Sequence, residues 1–125
     1  MRDTAREAAE LVARAHMASF RPKEPTYQAS TDPLYEVKVV AIASIQPIVR
    51  APGVANFGEQ RALSILEAIR DNTPLPPVRV RECAAANSGY PYKLHDGFHR
   101  FNLSLALGFT HLPVAVMAAP DEDAP

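Results

Sequence analysis

Five consecutive residues, Asp96-Gly97-Phe98-His99-Arg100, set two charges and an imidazole around one glycine. The short segment before them, Tyr92-Lys93-Leu94-His95, reads as a strand, and the stretch after them, Phe101 to Leu107, is mostly apolar. With Asp96 as N-cap and Gly97 in the first helical turn, the carboxylate accepts an amide two or three residues on. The remaining first-turn amides then point out of the helix end, with the positive end of the helix dipole behind them. Such an end binds phosphate or sulfate. Gly97 lets backbone approach a bulky anion. His99 and Arg100 add side-chain donors, and a guanidinium can grip two phosphate oxygens at once. The set suits a di- or triphosphate. A plainer reading stands beside it: Asp-Gly is ordinary turn chemistry, and His99 can be a satisfied structural histidine.

The elements that must position these residues follow from spacing. Thr4 with Glu7 three later gives a capping-box start to a helix over 4–19, striped by Ala8, Leu11, Val12 and Ala15. Residues 21–34 hold Pro22, Pro25 and Pro33 and read as a linker or wrapping arm that docks on the domain or on a second copy of the chain. A β-branched run predicts a strand over 36–42 with Val37, Val39 and Ala41 on one face. Asn56 with Glu59 resembles a helix start, and 58–71 reads as a helix burying Ala62, Ile65, Leu66 and Ile69. Arg61, Ser64 and Ala68 share its neighbouring face. Strands over 77–83 and 90–96 make a hairpin with a loop longer than two residues. A helix over 98–107, buried on most sides, ends at Gly108 as a left-handed terminator. A strand over 110–118 and a frayed acidic tail at 120–125 complete the chain.

Composition narrows the function classes. The 125 residues suit one folded unit, and the net charge of −1 supplies no general attraction to nucleic acid or membrane, so direct DNA binding by this chain alone is not expected. One cysteine, Cys83, excludes an intrachain disulfide and fits a cytoplasmic setting. Asp3, Glu7 and Glu10 interrupt the N-terminus too early for a signal peptide. His16, His95, His99 and His111 are scattered without metal-ligand spacing.

The order of strand, Asp-Gly-x-His-Arg, short apolar helix, Gly, then x-x-x-Pro-Val-x-Val resembles the ParB/sulfiredoxin superfamily of small α/β nucleotide-binding domains. Upstream, Ile42-Ala43-Ser44-Ile45-Gln46-Pro47-Ile48-Val49-Arg50 resembles that family's first strand and Pro-x-x-Arg loop, and residues 62–80 resemble its next helix and strand. The resemblance covers residues 37–116. It implies a compact α/β domain at 35–119, with a small mixed sheet and packed helices. Residues 1–34 are then an added helix and arm, and 120–125 a disordered tail. It implies a nucleotide held by Gly97, His99 and Arg100, with Asp96 and Phe98 in the same motif. Arg61 and Ser64 match the family's basic residue and hydroxyl, and Arg50 its phosphate-side arginine. The ligand so implied is ATP or another nucleoside triphosphate, with Mg²⁺ held by the phosphates or Asp96.

The departures also matter. Phe98 stands where sulfiredoxins carry their nucleophilic cysteine, so sulfinic-acid repair is not expected. The Gly-Glu-Arg-Arg-type motif of ParB proper is absent, as is the acidic catalytic group of the related free-serine kinases. Three functions follow from this reading: an NTPase or phosphotransferase that works by positioning and charge; a non-catalytic nucleotide sensor of a partition-like or DNA-associated system, dimerising through the N-terminal helix and arm; or the same fold with a decayed pocket.

Overall fold

The computed structural model describes residues 4–50, 55–83 and 89–117. It contains helices α1 (Thr4–Arg14), α2 (Glu59–Arg70) and α3 (Phe98–Leu107). Strands β1 (Val37–Ala41), β2 (Ile45–Gln46), β3 (Val78–Glu82), β4 (Tyr92–Asp96) and β5 (His111–Met117) form one sheet in the order β1-β5-β3-β4-β2. β5 runs antiparallel to β1 and parallel to β3, while β4 runs antiparallel to β3 and parallel to β2. The expected tail at 120–125 and the hairpin loop at 84–88 lie outside the described residues.

The sheet must curl. Its two edge strands, β1 and β2, are joined by one short 3-10 turn, Ile42–Ser44. A flat five-stranded sheet would set its edges about 19 Å apart. Four Cα links reach about 14 Å at most. The edges therefore face one another, and the Lys38 ammonium on β1 lies 5.3 Å from the centroid of the Tyr92 ring on β4.

The three described α-helices end in the same way. A residue in the left-handed region follows each, and the next amide reaches back to a carbonyl of the last turn. His16 (φ 59°) precedes the Met17 amide, bonded to Val12; Asn72 (φ 58°) precedes Thr73, bonded to Ala68; Gly108 (φ 96°) precedes Phe109, bonded to Ser104. The first of these stops α1 at Arg14, short of the expected 19, and drops Met17 into the core. Gly108 is the terminator the spacing predicted.

Apolar stripes at helical spacing supply one core. Leu11 and Val12 of α1, Ala62, Leu66 and Ile69 of α2, and Phe101, Leu103 and Leu107 of α3 meet Val78, Val80, Leu112 and Val114 of the sheet. α3 is buried on most sides, as expected, with Leu105 (49% exposed) and Ala106 facing out. The shared Val37/Val39/Ala41 face is the outer one, with Val39 54% exposed, while Val40 packs on the core. One expectation is corrected. α2 starts after Gly58 rather than at Asn56, whose buried amide donates to the Glu7 carboxylate (2.6 Å).

The arm lies on its own chain. Pro25 O accepts from the Thr110 and His111 amides, Leu75 N–H donates to Gln28 O, and Ser30 N–H donates to Leu75 O. Buried Tyr27 joins the core cluster, as do Ala8 and Leu11 of α1.

Candidate phosphate site

The N-terminal end of α3 opens into a polar pocket of about 200 Å³. Residues 96–100 line it, together with Arg50 from the loop after β2 and Arg61 from the first turns of α2. Ser64, expected beside Arg61, is exposed on α2 and does not line it. Ile65, one residue further on, does line it, so the face of α2 and not the distance along it leaves Ser64 outside.

The helix start differs from the expected cap. Asp96 is the last residue of β4, and its exposed side chain lies at the pocket rim. Gly97 is the N-cap, at φ 118° with no side-chain cap bond, and its carbonyl accepts the first helical bond from Phe101 (2.8 Å). The glycine serves packing as well as conformation. A Cβ there would lie 2.6 Å from Val78 Cγ1 and 2.9 Å from Val78 Cβ, so α3 can begin this close to β3 only without a side chain.

His99 joins two helix starts. Its Nε2 accepts the Gly58 amide at the N-cap of α2 (2.9 Å), so the ring is the neutral tautomer with its proton on Nδ1. Burial holds the His99 pKa below the ordinary histidine value, and the neighbouring charges of Arg61, Arg50 and Arg100 push the same way. Three guanidiniums around one imidazole make a strongly electropositive spot at the converging positive ends of two helices.

The aromatic residues form the wall. Phe98 is 5% exposed, and its ring lies 5.3 Å from that of Phe57 and 5.8 Å from that of His99. The Arg50 guanidinium stacks over Phe98 at 4.3 Å from the centroid. Arg50 Nε is buried with no hydrogen-bond partner. A buried unpaired donor on a cation costs free energy unless a ligand oxygen meets it. Phe98 thus supplies a platform for Arg50 at the position that matches the sulfiredoxin cysteine.

Arg100 is partly committed elsewhere. Its Nη1 donates to the carbonyls of Pro76 and Pro77, each at 2.8 Å. One nitrogen of the expected two-oxygen grip is therefore already engaged with the entry to β3. Phe57 and Gly58 were missed by sequence reasoning. Phe57 is an ordinary aromatic in a loop, and only the His99 contact, 41 residues along, gives Gly58 its role.

A larger cavity of about 720 Å³ lies between the arm and the C-terminal end of α2, with Tyr27, Ile69 and Phe109 in its walls. It is mixed in character and carries none of the motif residues. Among the described residues no helix is long and apolar enough to cross a membrane.

No protein-family model matches the chain, and no curated protein does. Among solved structures it is similar to the C-terminally truncated chromosome-partitioning protein ParB from Caulobacter crescentus, complexed with CTP-γ-S. The TM-score is 0.50 at 22% sequence identity, covering 68% of this chain and 46% of that one. The fold is ParB-like. This chain's alignment spans about half the length of that ParB. At this identity the likeness concerns the ParB-like fold alone, and the pocket rests on its own geometry.

Proposed function

We propose that the pocket binds the polyphosphate of a nucleoside triphosphate. The observation that carries the reading is the buried, unpartnered Nε of Arg50 beside a neutral His99 that is surrounded by arginines. A phosphate oxygen supplies the missing acceptor and neutralises the mutual repulsion of the cations. The pocket is smaller than the 300–1,000 Å³ typical of whole drug-sized ligands. It matches the phosphates, with ribose and base lying towards its open side. The ParB neighbour was crystallised with a CTP analogue, which supports a nucleotide as the ligand and makes CTP the first to test.

Binding without covalent chemistry is the reading favoured here. Phe98 has no nucleophile, and the basic nitrogen of His99 is occupied by the Gly58 amide. Arg50 and Arg61 bind and orient phosphate, and Arg100 closes the side next to β3. A dimer built by exchanging α1 or the arm would first have to expose Leu11, Val12 and Tyr27, which pack on their own chain. A second reading, an NTPase or phosphotransferase, is favoured by Asp96, the one carboxylate lining the pocket among the described residues. It could hold Mg²⁺ arriving with the phosphates or order a water.

Isothermal titration with CTP, ATP, GTP, UTP and inorganic triphosphate tests the proposal, with Arg50→Ala as the comparison. Triphosphates should bind the wild-type protein and bind Arg50→Ala much more weakly. Absence of binding across the panel overturns the reading. Release of phosphate from Mg²⁺-CTP or Mg²⁺-ATP, lost in Asp96→Asn, would replace the binding reading with the catalytic one.

A further inference from the structure

We infer that Tyr27, on the N-terminal arm, is a positioning residue for Arg100, which makes the arm a working part of the phosphate site. The inference rests on the nucleotide reading above.

Three prolines, Pro74, Pro76 and Pro77, sit just before β3 and supply no amide hydrogens. The carbonyls of this segment must find donors elsewhere. Arg100 Nη1 bonds Pro76 O and Pro77 O. The Tyr27 hydroxyl donates to the same Pro76 oxygen at 2.6 Å. Tyrosine and arginine therefore share one carbonyl, and each limits where the other can go.

Tyr27 is itself held firmly. It is 4% exposed, its ring belongs to the core, and the arm is bonded to the domain on both sides of it, at Pro25 and at Gln28. The hydroxyl and one edge of the guanidinium thus meet at a single held oxygen, that of Pro76. Arg100 lines the phosphate pocket, so the rest of its planar fork is presented there in a fixed orientation. Ordering the side chain before the ligand arrives lowers the entropic cost of binding. The arginine at the pocket and the arm some 70 positions earlier in the chain are coupled through one oxygen.

A different role is possible for the same contacts: closing off proline carbonyls for stability alone. Tyr27→Phe separates the two, because it keeps the buried ring and removes only the hydroxyl. Calorimetry with CTP and with inorganic triphosphate should show binding weakened about fivefold, the effect of one hydrogen bond. Arg100→Lys keeps a donor for the carbonyls but loses the fork, and should also bind more weakly. Adding Tyr27→Phe to Arg100→Lys should then cost little more, because the residue being positioned is gone.

Unchanged affinity in Tyr27→Phe, or single effects that simply multiply in the double variant, overturns the inference and leaves the nucleotide reading intact. Failure of the wild-type protein to bind either probe overturns both. A measurement on the ligand-free wild-type protein needs no variant to fold. Nitrogen-15 NMR should show slow rotation of the Arg100 guanidinium, and free rotation there also overturns the inference.

Discussion

Arg79 and Arg50 both stack on aromatic rings, and of this pair Arg79 alone has its charge answered. Arg79, on β3, lies over Tyr35 at 5.2 Å and donates to both oxygens of Asp32, at 3.0 and 3.4 Å. Asp32 in turn accepts the Leu34 and Tyr35 amides, at 2.8 and 3.0 Å. Every partner is polar, complementary and internal, so the arrangement has the character of a latch between the end of the arm and the sheet. Arg50 lies over Phe98 at 4.3 Å, with a buried Nε that no acceptor meets and with other cations for neighbours. The same residue type on the same kind of platform is complete in one place and incomplete in the other. Stability accounts for the first. The second is the arrangement expected where the missing partner arrives from solution.

The largest effect should come from the residue that supports both regions. Gly97 abuts Val78, the neighbour of Arg79, and also caps the helix at the phosphate pocket. Gly97→Ala places a Cβ against Val78 at a φ that L-residues disfavour. It should cost about 3 kcal/mol, combining the left-handed penalty with overpacking. Urea denaturation measures this, and a loss under 1 kcal/mol would show that the close approach relaxes easily.

Next come the two arginines in opposition. Arg50→Ala should weaken triphosphate binding by about 2 kcal/mol, roughly thirtyfold, because a charge-assisted hydrogen bond is lost. Its thermal midpoint should hold or rise, since repulsion is relieved. Arg79→Ala should lower the midpoint and leave affinity unchanged. Reversal of those two outcomes would dissolve the contrast between latch and site.

Smaller effects appear on titration. His99 has a depressed pKa in the fold, so the unfolded chain takes up its proton first as pH falls. The stability it contributes is whole above about pH 6.5 and declines as pH drops from there towards the folded pKa. NMR titration should place the free protein's His99 pKa below 6.5, and inorganic triphosphate should raise it, because an anion favours the imidazolium. Asp32 behaves differently. The Leu34 amide and then Arg79 hold its carboxyl below the ordinary value, so its contribution is present above about pH 4 and is lost as pH falls through the folded pKa. Thermal midpoints from pH 5 to pH 2 should fall less steeply in Asp32→Asn than in the wild-type protein.

Local patterns were legible where the cause is local. The α3 span, its Gly108 terminator and the buried stripe of α2 follow from periodicity and capping chemistry within a few residues. The end of α1 was harder to read, because no glycine at His16 announces the left-handed stop, whereas α2 ends within one residue of its expected bound. The cap was assigned one residue early because Asp96 is the better capping type. Contact with β3 decides the matter, and it leaves room for Gly97 alone. Arg61 and Ser64 share a helix face in sequence, yet only the first reaches the opening.

By itself the chain's order of residues determined a small α/β domain with basic and imidazole groups at one helix start, since periodicity and composition act over short distances. Tertiary structure alone decided which of those groups remain unpaired. Arg100 is bonded to Pro76 and Pro77, His99 to Gly58, and Arg79 to Asp32, across gaps of 23 to 47 residues. Arg50 is left with a buried donor and no acceptor. Hydrogen bonds are satisfied by proximity in space, and that proximity exists only once the sheet has curled and the arm has closed over it.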